Sequence, residues 1–262
     1  VKNKPFGVIA AIGDKQSNVY LNHLNLSGGS EAMINGIYLS GALSLYSHKK
    51  VVIKDSHIHH NSADDGLNIK NSEVLIEDNI FEANLADQVD LDLCNGYVNN
   101  NKFISDDVEK DFDWMDILQD DNGDGLDFSG SNVIVNNNDF YSFPDKGISV
   151  GEKSKVLVRD NTFTNNKSAV TVKDQSNAYM FNNAYVDNLV NIEMYQKKKI
   201  FKSPSLYNIN EKYHYSKITK TDNSHYYKLD ESALDEIVEM INGLNPNVIF
   251  DTSKQNKWIE RE

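Results

Sequence analysis

The 262-residue sequence has one cysteine, Cys94, so no internal disulfide can brace the fold. Cys94 sits in an apolar-alternating stretch and reads as a small core residue. No apolar run approaches the ~20 residues that span a bilayer. Acids outnumber bases, and the net charge is −13. That balance argues against a nucleic-acid partner, because phosphate binding requires stripes of Lys and Arg. Cys/His zinc spacing, a phosphate-cradling glycine loop and a nucleophile elbow are all missing. No signal peptide is visible, and the chain opens on Val1 rather than Met. We therefore expect a piece of something longer, with other domains before Val1.

What the sequence does contain is a repeat. Val156-Leu157-Val158 is followed by a polar pair, Asn161, one spacer and Phe163. The same order leads from Val74-Leu75-Ile76 to Asn79 and Phe81, and from Tyr97-Val98 to Asn101 and Phe103. It returns at Asn138 and Phe140 and at Asn183 and Tyr185, with weaker copies ending at Ile58 and Leu26. The aromatic steps are 22, 37, 23 and 22 residues, so only the step from Phe103 to Phe140 carries an insertion. A fixed period of this size marks a solenoid, whose coils bury their apolar faces against one another. The Leu-x-x-Leu-x-Leu consensus of a leucine-rich repeat is absent. Short β-branched strands between Asn, Gly and Asp turns predict an all-β chain instead: a single-stranded parallel β-helix of about 22-residue coils. Asn79, Asn101, Asn138, Asn161 and Asn183 are expected to form an amide ladder, with an aromatic stack beside it.

Taken in order, residues 1–203 are expected to form the β-helix and residues 204–262 a C-terminal cap. From residue 65 each coil opens with a second strand of clean alternation, such as Gly66-Leu67-Asn68-Ile69-Lys70, with Leu67 and Ile69 pointing in. An acidic insertion at 104–124 also holds Phe112, Trp114 and Met115 and reads as a functional or mobile loop. Residues 204–229 read as irregular. An amphipathic helix is expected at about 231–242, capped by Asp230 or Ser232 and ended by Gly243, covering the open end of the solenoid.

Stacking the opening strands puts Tyr38, Asn68, Asp90, Asp127, Ser149, Thr171 and Glu193 in one outward column. Ser40, Lys70, Asp92, Ser129, Gly151, Lys173 and Tyr195 form a second. Asp64, Asp65, Asp87, Asp124, Asp145 and Lys146 stand in the preceding turns. Parallel strands lie ~4.8 Å apart, so acids distant in sequence become neighbours. Like charges stacked in this way repel, and Asp is disfavoured in mid-strand. A cation, a shared proton or interleaved lysines must compensate. Oxygen-rich clusters suit Ca²⁺, and Asp65, Asp87, Asp90, Asp124 and Asp127 are the expected ligands. Asp-Gly is also ordinary turn chemistry, which covers Asp65 and Asp124 but not Asp90, Asp92 or Asp127. Asp120 to Gly125 resembles the start of a helix-loop-helix calcium loop but lacks its closing Glu. His57, His59 and His60 could pair on a metal or simply line a solvated turn.

At these residues the chain resembles the pectate-lyase-like right-handed β-helix superfamily, over about residues 1–195. Asp64 to Lys70, Asp124 to Ser131 and Asp145 to Glu152 resemble motifs of the β-helix modules found with bacterial CotH-type proteins. The resemblance implies a secreted or cell-surface, carbohydrate-active protein with a polysaccharide or glycan partner. A calcium-assisted polysaccharide lyase or C5-epimerase acting on uronates comes first among its activities. In that reading Lys70 or Lys146 abstracts a proton with Asp90 and Asp127 at the catalytic centre, and Asn68, Asp92, Ser149 and Lys173 hold substrate. The superfamily's lyases often use Arg as base, whereas the repeats hold one arginine, Arg159, outside the groove. The resemblance also allows a non-catalytic, calcium-dependent glycan-binding or surface module. Its third implication is a pectin-hydrolase-like enzyme using paired Asp, although the later Gly-His-Gly and Arg-Ile-Lys elements are missing.

Overall fold

The computed structural model describes residues 4–105, 123–209, 218–221 and 223–243. Three stacks of parallel strands run side by side along it. Sheet A has nine strands, from Ile9–Ile12 through Gly41–Tyr46, Asp65–Lys70, Asp87–Asp92, Asp124–Ser129, Lys146–Gly151, Ser168–Lys173 and Val190–Tyr195 to Ile218–Lys220. Sheet B, also nine-stranded, begins at Asn18–Asn22 and ends at His225–Leu229. Sheet C has seven strands, from Asn25–Leu26 to Ala184–Val186. Each coil crosses A, B and C in turn, and each strand pairs with its copy one coil away, as expected from the repeat.

Alternation sets what fills the interior. Leu67, Ile69, Val89, Leu91, Leu126 and Phe128 of sheet A are buried against Val74, Ile76, Val133 and Val135 of sheet B. Sheet C adds the aromatic stack. Successive ring centroids from Phe81 through Phe103, Phe140 and Phe163 to Tyr185 are 5.2, 4.6, 5.0 and 5.6 Å apart. Each such pair adds about 0.5–1.5 kcal/mol beyond burial of its area.

The bend from B to C explains why the repeat carries polar residues there. Asp55, Asp78, Asn100, Asn137, Asp160 and Asn182 all have φ between 47° and 59°. Asn and Asp tolerate this left-handed region better than other side chains with a Cβ. The next residue in each coil is a ladder member. Asn79 donates to Asn101 Oδ1 at 2.9 Å, Asn101 to Asn138 Oδ1 at 2.9 Å, Asn138 to Asn161 Oδ1 at 3.0 Å and Asn161 to Asn183 Oδ1 at 3.0 Å. Ser56 starts the column, its N–H donating to Asn79 Oδ1 at 3.0 Å.

Two further ladders were not anticipated. Between C and A, Asn61 donates to Asn84 and Asn166 to Asn188, at 2.8 and 2.9 Å. Between A and B, the Ser131 hydroxyl accepts from Cys94 N–H at 2.9 Å, and Ser154 from Ser131 N–H at 3.0 Å. Cys94 is core, as expected, but it also stands in this column, its thiol 3.3 Å from the Ile69 carbonyl. Burial pushes that thiol up to about 12, so it is inert as a nucleophile.

Three expectations change. Gly36 to Leu39 is not a sheet A strand: Ala32–Ile34 and Ile37–Leu39 form an antiparallel hairpin. Asn35 and Gly36 turn it with φ of 51° and 78°, the left-handed pair that a two-residue hairpin loop needs. The sheet A strand is Gly41–Tyr46, so Ser44 and Tyr46 take the column places assigned to Tyr38 and Ser40. Residues expected to be irregular contribute strands Ser205–Ile209, Ile218–Lys220 and His225–Leu229. Finally, helix α1 (Leu234–Gly243), preceded by a 3₁₀ turn with Asp230 as its N-cap, lies along the outer face of sheet B rather than over the end. Its Ile237, Val238 and Ile241 pack with Val52, Leu75, Tyr97, Ile134, Leu157 and Tyr179, and Tyr97 donates to Asn242 at 2.9 Å. The acidic insertion from 106 to 122, with Phe112, Trp114 and Met115, lies outside the described residues, as do Asp120 and Asp121 of the calcium-loop resemblance and the polar tail from 250.

Candidate functional site

The outer face of sheet A carries the chemistry. Register places Ser44, Asn68, Asp90, Asp127, Ser149, Thr171 and Glu193 in one column. Tyr46, Lys70, Asp92, Ser129 and Gly151 follow in the second, with Lys173 and Tyr195 further along. Asp65 pairs with Asp87, and Asp124 with Lys146, at the leading edge. From Asn68 onward these are the expected columns. The acids concentrate on three successive coils, and lysines flank them on both sides.

Asp87, Asp124 and Asp127 each offer a carboxylate oxygen within 4.8 Å of the other two. Asp87 Oδ1 accepts the Asp124 N–H at 2.8 Å, which ties two coils together. Asn68 Nδ2 donates to Asp90 Oδ2 at 2.7 Å. Several oxygens on this face have no donor: Asp65 Oδ2, Asn68 Oδ1, Asp127 Oδ1 and Ser149 Oγ are buried and unpartnered. Asn68 and Ser149 are fully buried and stand in register beside Asp90 and Asp127. A buried polar atom without a partner costs about 1–3 kcal/mol, so the protein's own side chains leave these four oxygens for water or a ligand to satisfy.

The acids hold their protons unusually tightly. Burial pushes Asp65 up to about 7, helped by Asp64 and opposed by Ser40 and Lys70. Burial also takes Asp124 to about 7 despite Lys146. Asp87 is raised well above the ordinary carboxyl range by burial and then by Asp124 and Asp127. Asp90 is raised likewise by burial, Asp65 and Asp92. These carboxyls compete for protons that a divalent cation would displace.

The lysines are clamped. Lys146 is buried between Asp124, at 3.2 Å, and Asp145. Burial pulls its pKa down, but the two carboxylates outweigh that and hold it above the usual lysine value. Lys70 pairs with Asp92 at 2.7 Å and lies over the Tyr46 ring; burial again lowers its pKa, and Asp92 more than restores it. Lys173 Nζ is 4.0 Å from Asp127 Oδ1, too far for a hydrogen bond. All the expected site residues thus share one face, and the face leaves its acids short of donors. The His57 group lies elsewhere, on sheet C. There His57 bonds Glu82 at 2.8 Å, and His59 and His60 share one hydrogen bond, Nδ1 to Nδ1, at 2.9 Å.

Residues 35–203, more than half the chain, match the family model described as right handed beta helix region. The chain belongs to that family. A search of curated proteins finds no match. Among solved structures, this β-helix is similar to full-length tailspike protein 2 of Escherichia coli O157:H7 bacteriophage CAB120, at 13% identity and a TM-score of 0.49. That likeness covers 71% of this chain and 25% of the tailspike, so the chain spans about a quarter of the tailspike's length. It is also similar to the Streptococcus pneumoniae surface protein and adhesin PfbA, at 14% identity and a TM-score of 0.34, covering 88% of this chain and 82% of that one. At such identities neither likeness says anything about the chemistry of this β-helix. No helix among its described residues is long and apolar enough to cross a membrane.

Proposed function

We propose that this β-helix is a carbohydrate-active module, extracellular or at a cell surface, that binds an acidic glycan on sheet A through a calcium ion. The observation that carries this is the meeting of Asp87, Asp124 and Asp127 within 4.8 Å. Three carboxylates meeting in this way suit a hard cation, and Ca²⁺ accepts such oxygen ligands in flexible geometry. Asp65 and Asp90 are the next carboxylates on the ridge, and they complete the acidic surround. When bound, the ion supplies positive charge that both neutralises the ridge and attracts a uronate carboxylate. Asn68, Asp92 and Ser149 then stand beside it to meet sugar hydroxyls, and Lys173 to meet a second carboxylate.

β-Elimination or C5-epimerisation would need Lys70 or Lys146 to give up its proton. Both are held protonated by carboxylates, which weighs against either lysine as base. Hydrolysis by a carboxyl pair is the second reading, favoured by Asp65 and Asp124, whose values of about 7 suit an acid working near neutral pH. One set of assays on alginate, polygalacturonate and glycosaminoglycans, with calcium and with chelator, separates the three. Calcium-dependent binding without products supports the module. Reducing ends without unsaturated uronates would move the assignment to hydrolysis, and ultraviolet-absorbing unsaturated products would restore the lyase. Absence of binding with and without calcium would end the proposal.

A further inference from the structure

A notch of about 350 Å³ opens where sheet A turns into sheet B on the early coils. Small-ligand pockets begin at roughly this size. Its buried or half-buried lining includes Ser72, Glu73 and Asn95, and its exposed lining includes Lys15, Lys49 and Leu93. Lys15 Nζ reaches across to the Asn71 carbonyl at 2.6 Å and closes one side.

Leu93 is out of place on local grounds. Its φ is 53°, at the turn position filled on neighbouring coils by Ser47, Asn71 and Gly130. Asn and Gly suit the left-handed region, and a long apolar side chain does not. Nor does burial compensate, because Leu93 is 61% exposed. Local conformation and solvent both disfavour it, and strain of this kind gathers at ligand clamps. The notch also differs from the rest of the molecule in charge: two lysines face one carboxylate, Glu73, in a chain of net charge −13.

We propose that this notch is a second binding site, separate from the sheet A ridge, for a single acidic pyranose. Leu93 offers an apolar surface to the C–H face of the ring. Ser72 and Asn95 offer donors and acceptors to its hydroxyls, and Lys15 and Lys49 flank its carboxylate.

The test uses D-glucuronate and methyl glucoside as probes, followed by saturation-transfer NMR and calorimetry on the whole protein. Glucuronate binding should saturate, and Leu93→Asn should weaken it about tenfold or more. The same variant should melt at the same or a higher temperature, because Asn accepts the left-handed turn. The comparison is made in chelator, where the sheet A ridge has no calcium to attract a uronate, and the unaltered protein should still bind glucuronate there. Absence of saturable binding in chelator, or binding that Leu93→Asn leaves unchanged, would each overturn the site. Methyl glucoside bound as tightly as glucuronate would overturn the anionic assignment.

Discussion

At the bend between sheets B and C, Asn138 uses its whole amide. Its oxygen accepts from the Asn101 N–H and side chain at 2.8 and 2.9 Å, and its nitrogen donates to Val98, Asn136 and Asn161 at 2.9–3.0 Å. On sheet A of the same coils, Asp127 Oδ1 is buried without a hydrogen-bond partner, with Lys173 Nζ 4.0 Å away. The two regions arise from one repeat and one stacking geometry. The repeat can therefore satisfy buried polar groups completely, and on sheet A it does not. The bend is built for the fold, and the ridge is where the proposed ligand would find unpaired oxygens.

Removing an aromatic from the satisfied side should have the largest effect. Phe140→Ala should cost about 3–5 kcal/mol in chemical denaturation, because its cavity sits between two stacked rings. Asn138→Ala should cost about 1–3 kcal/mol by the same measurement, since it strands the Asn101 N–H and removes the side-chain donor to the Val98 carbonyl. Either variant proving neutral would erase the contrast between bend and ridge.

The ridge should respond to pH in the sense opposite to an ordinary salt-bridged protein. Asp65 and Asp124 rise to about 7, and Asp87 and Asp90 well above their usual range. Between the unfolded carboxyl value and these folded values, the native chain binds more protons than the unfolded one. Stability in chelator should therefore fall as pH rises from about 4 to about 7, because that is where the excess protons are lost. Denaturation midpoints that climb over this window would contradict it. The smallest effect belongs to Asp127→Asn. In chelator it should leave stability unchanged or raise it by about 0.2–1 kcal/mol, since it removes one of a set of stacked like charges.

The coil was legible because its signals repeat. An Asn before an aromatic, every 22 or 23 residues, can mean little except a ladder, and the outward columns follow from period two once the ladder fixes register. Register failed only at Tyr38 and Ser40, where Asn35-Gly36 inserts a hairpin turn between coils. The position of α1 depends on contacts between residues far apart in sequence. A clue was nevertheless present: Val51-Val52-Ile53, Val74-Leu75-Ile76 and Val156-Leu157-Val158 are apolar on both faces of sheet B. Continuous apolar strands are covered on both sides. The acids of the ridge could be read as neighbours, but not which three converge, because side-chain directions across coils are set by packing. The notch left no periodic trace at all. It shows only when Leu93 is found in the left-handed turn.

Calcium titration into the chelated protein at pH 7.5, followed by melting temperature, tests the ridge most directly. Saturating calcium at 100 times its dissociation constant should stabilise the native protein by about 2.7 kcal/mol, and Asp127→Asn should lose most of that gain. A melting temperature indifferent to calcium, or raised equally in both proteins, would mean that Asp87, Asp124 and Asp127 meet without holding an ion.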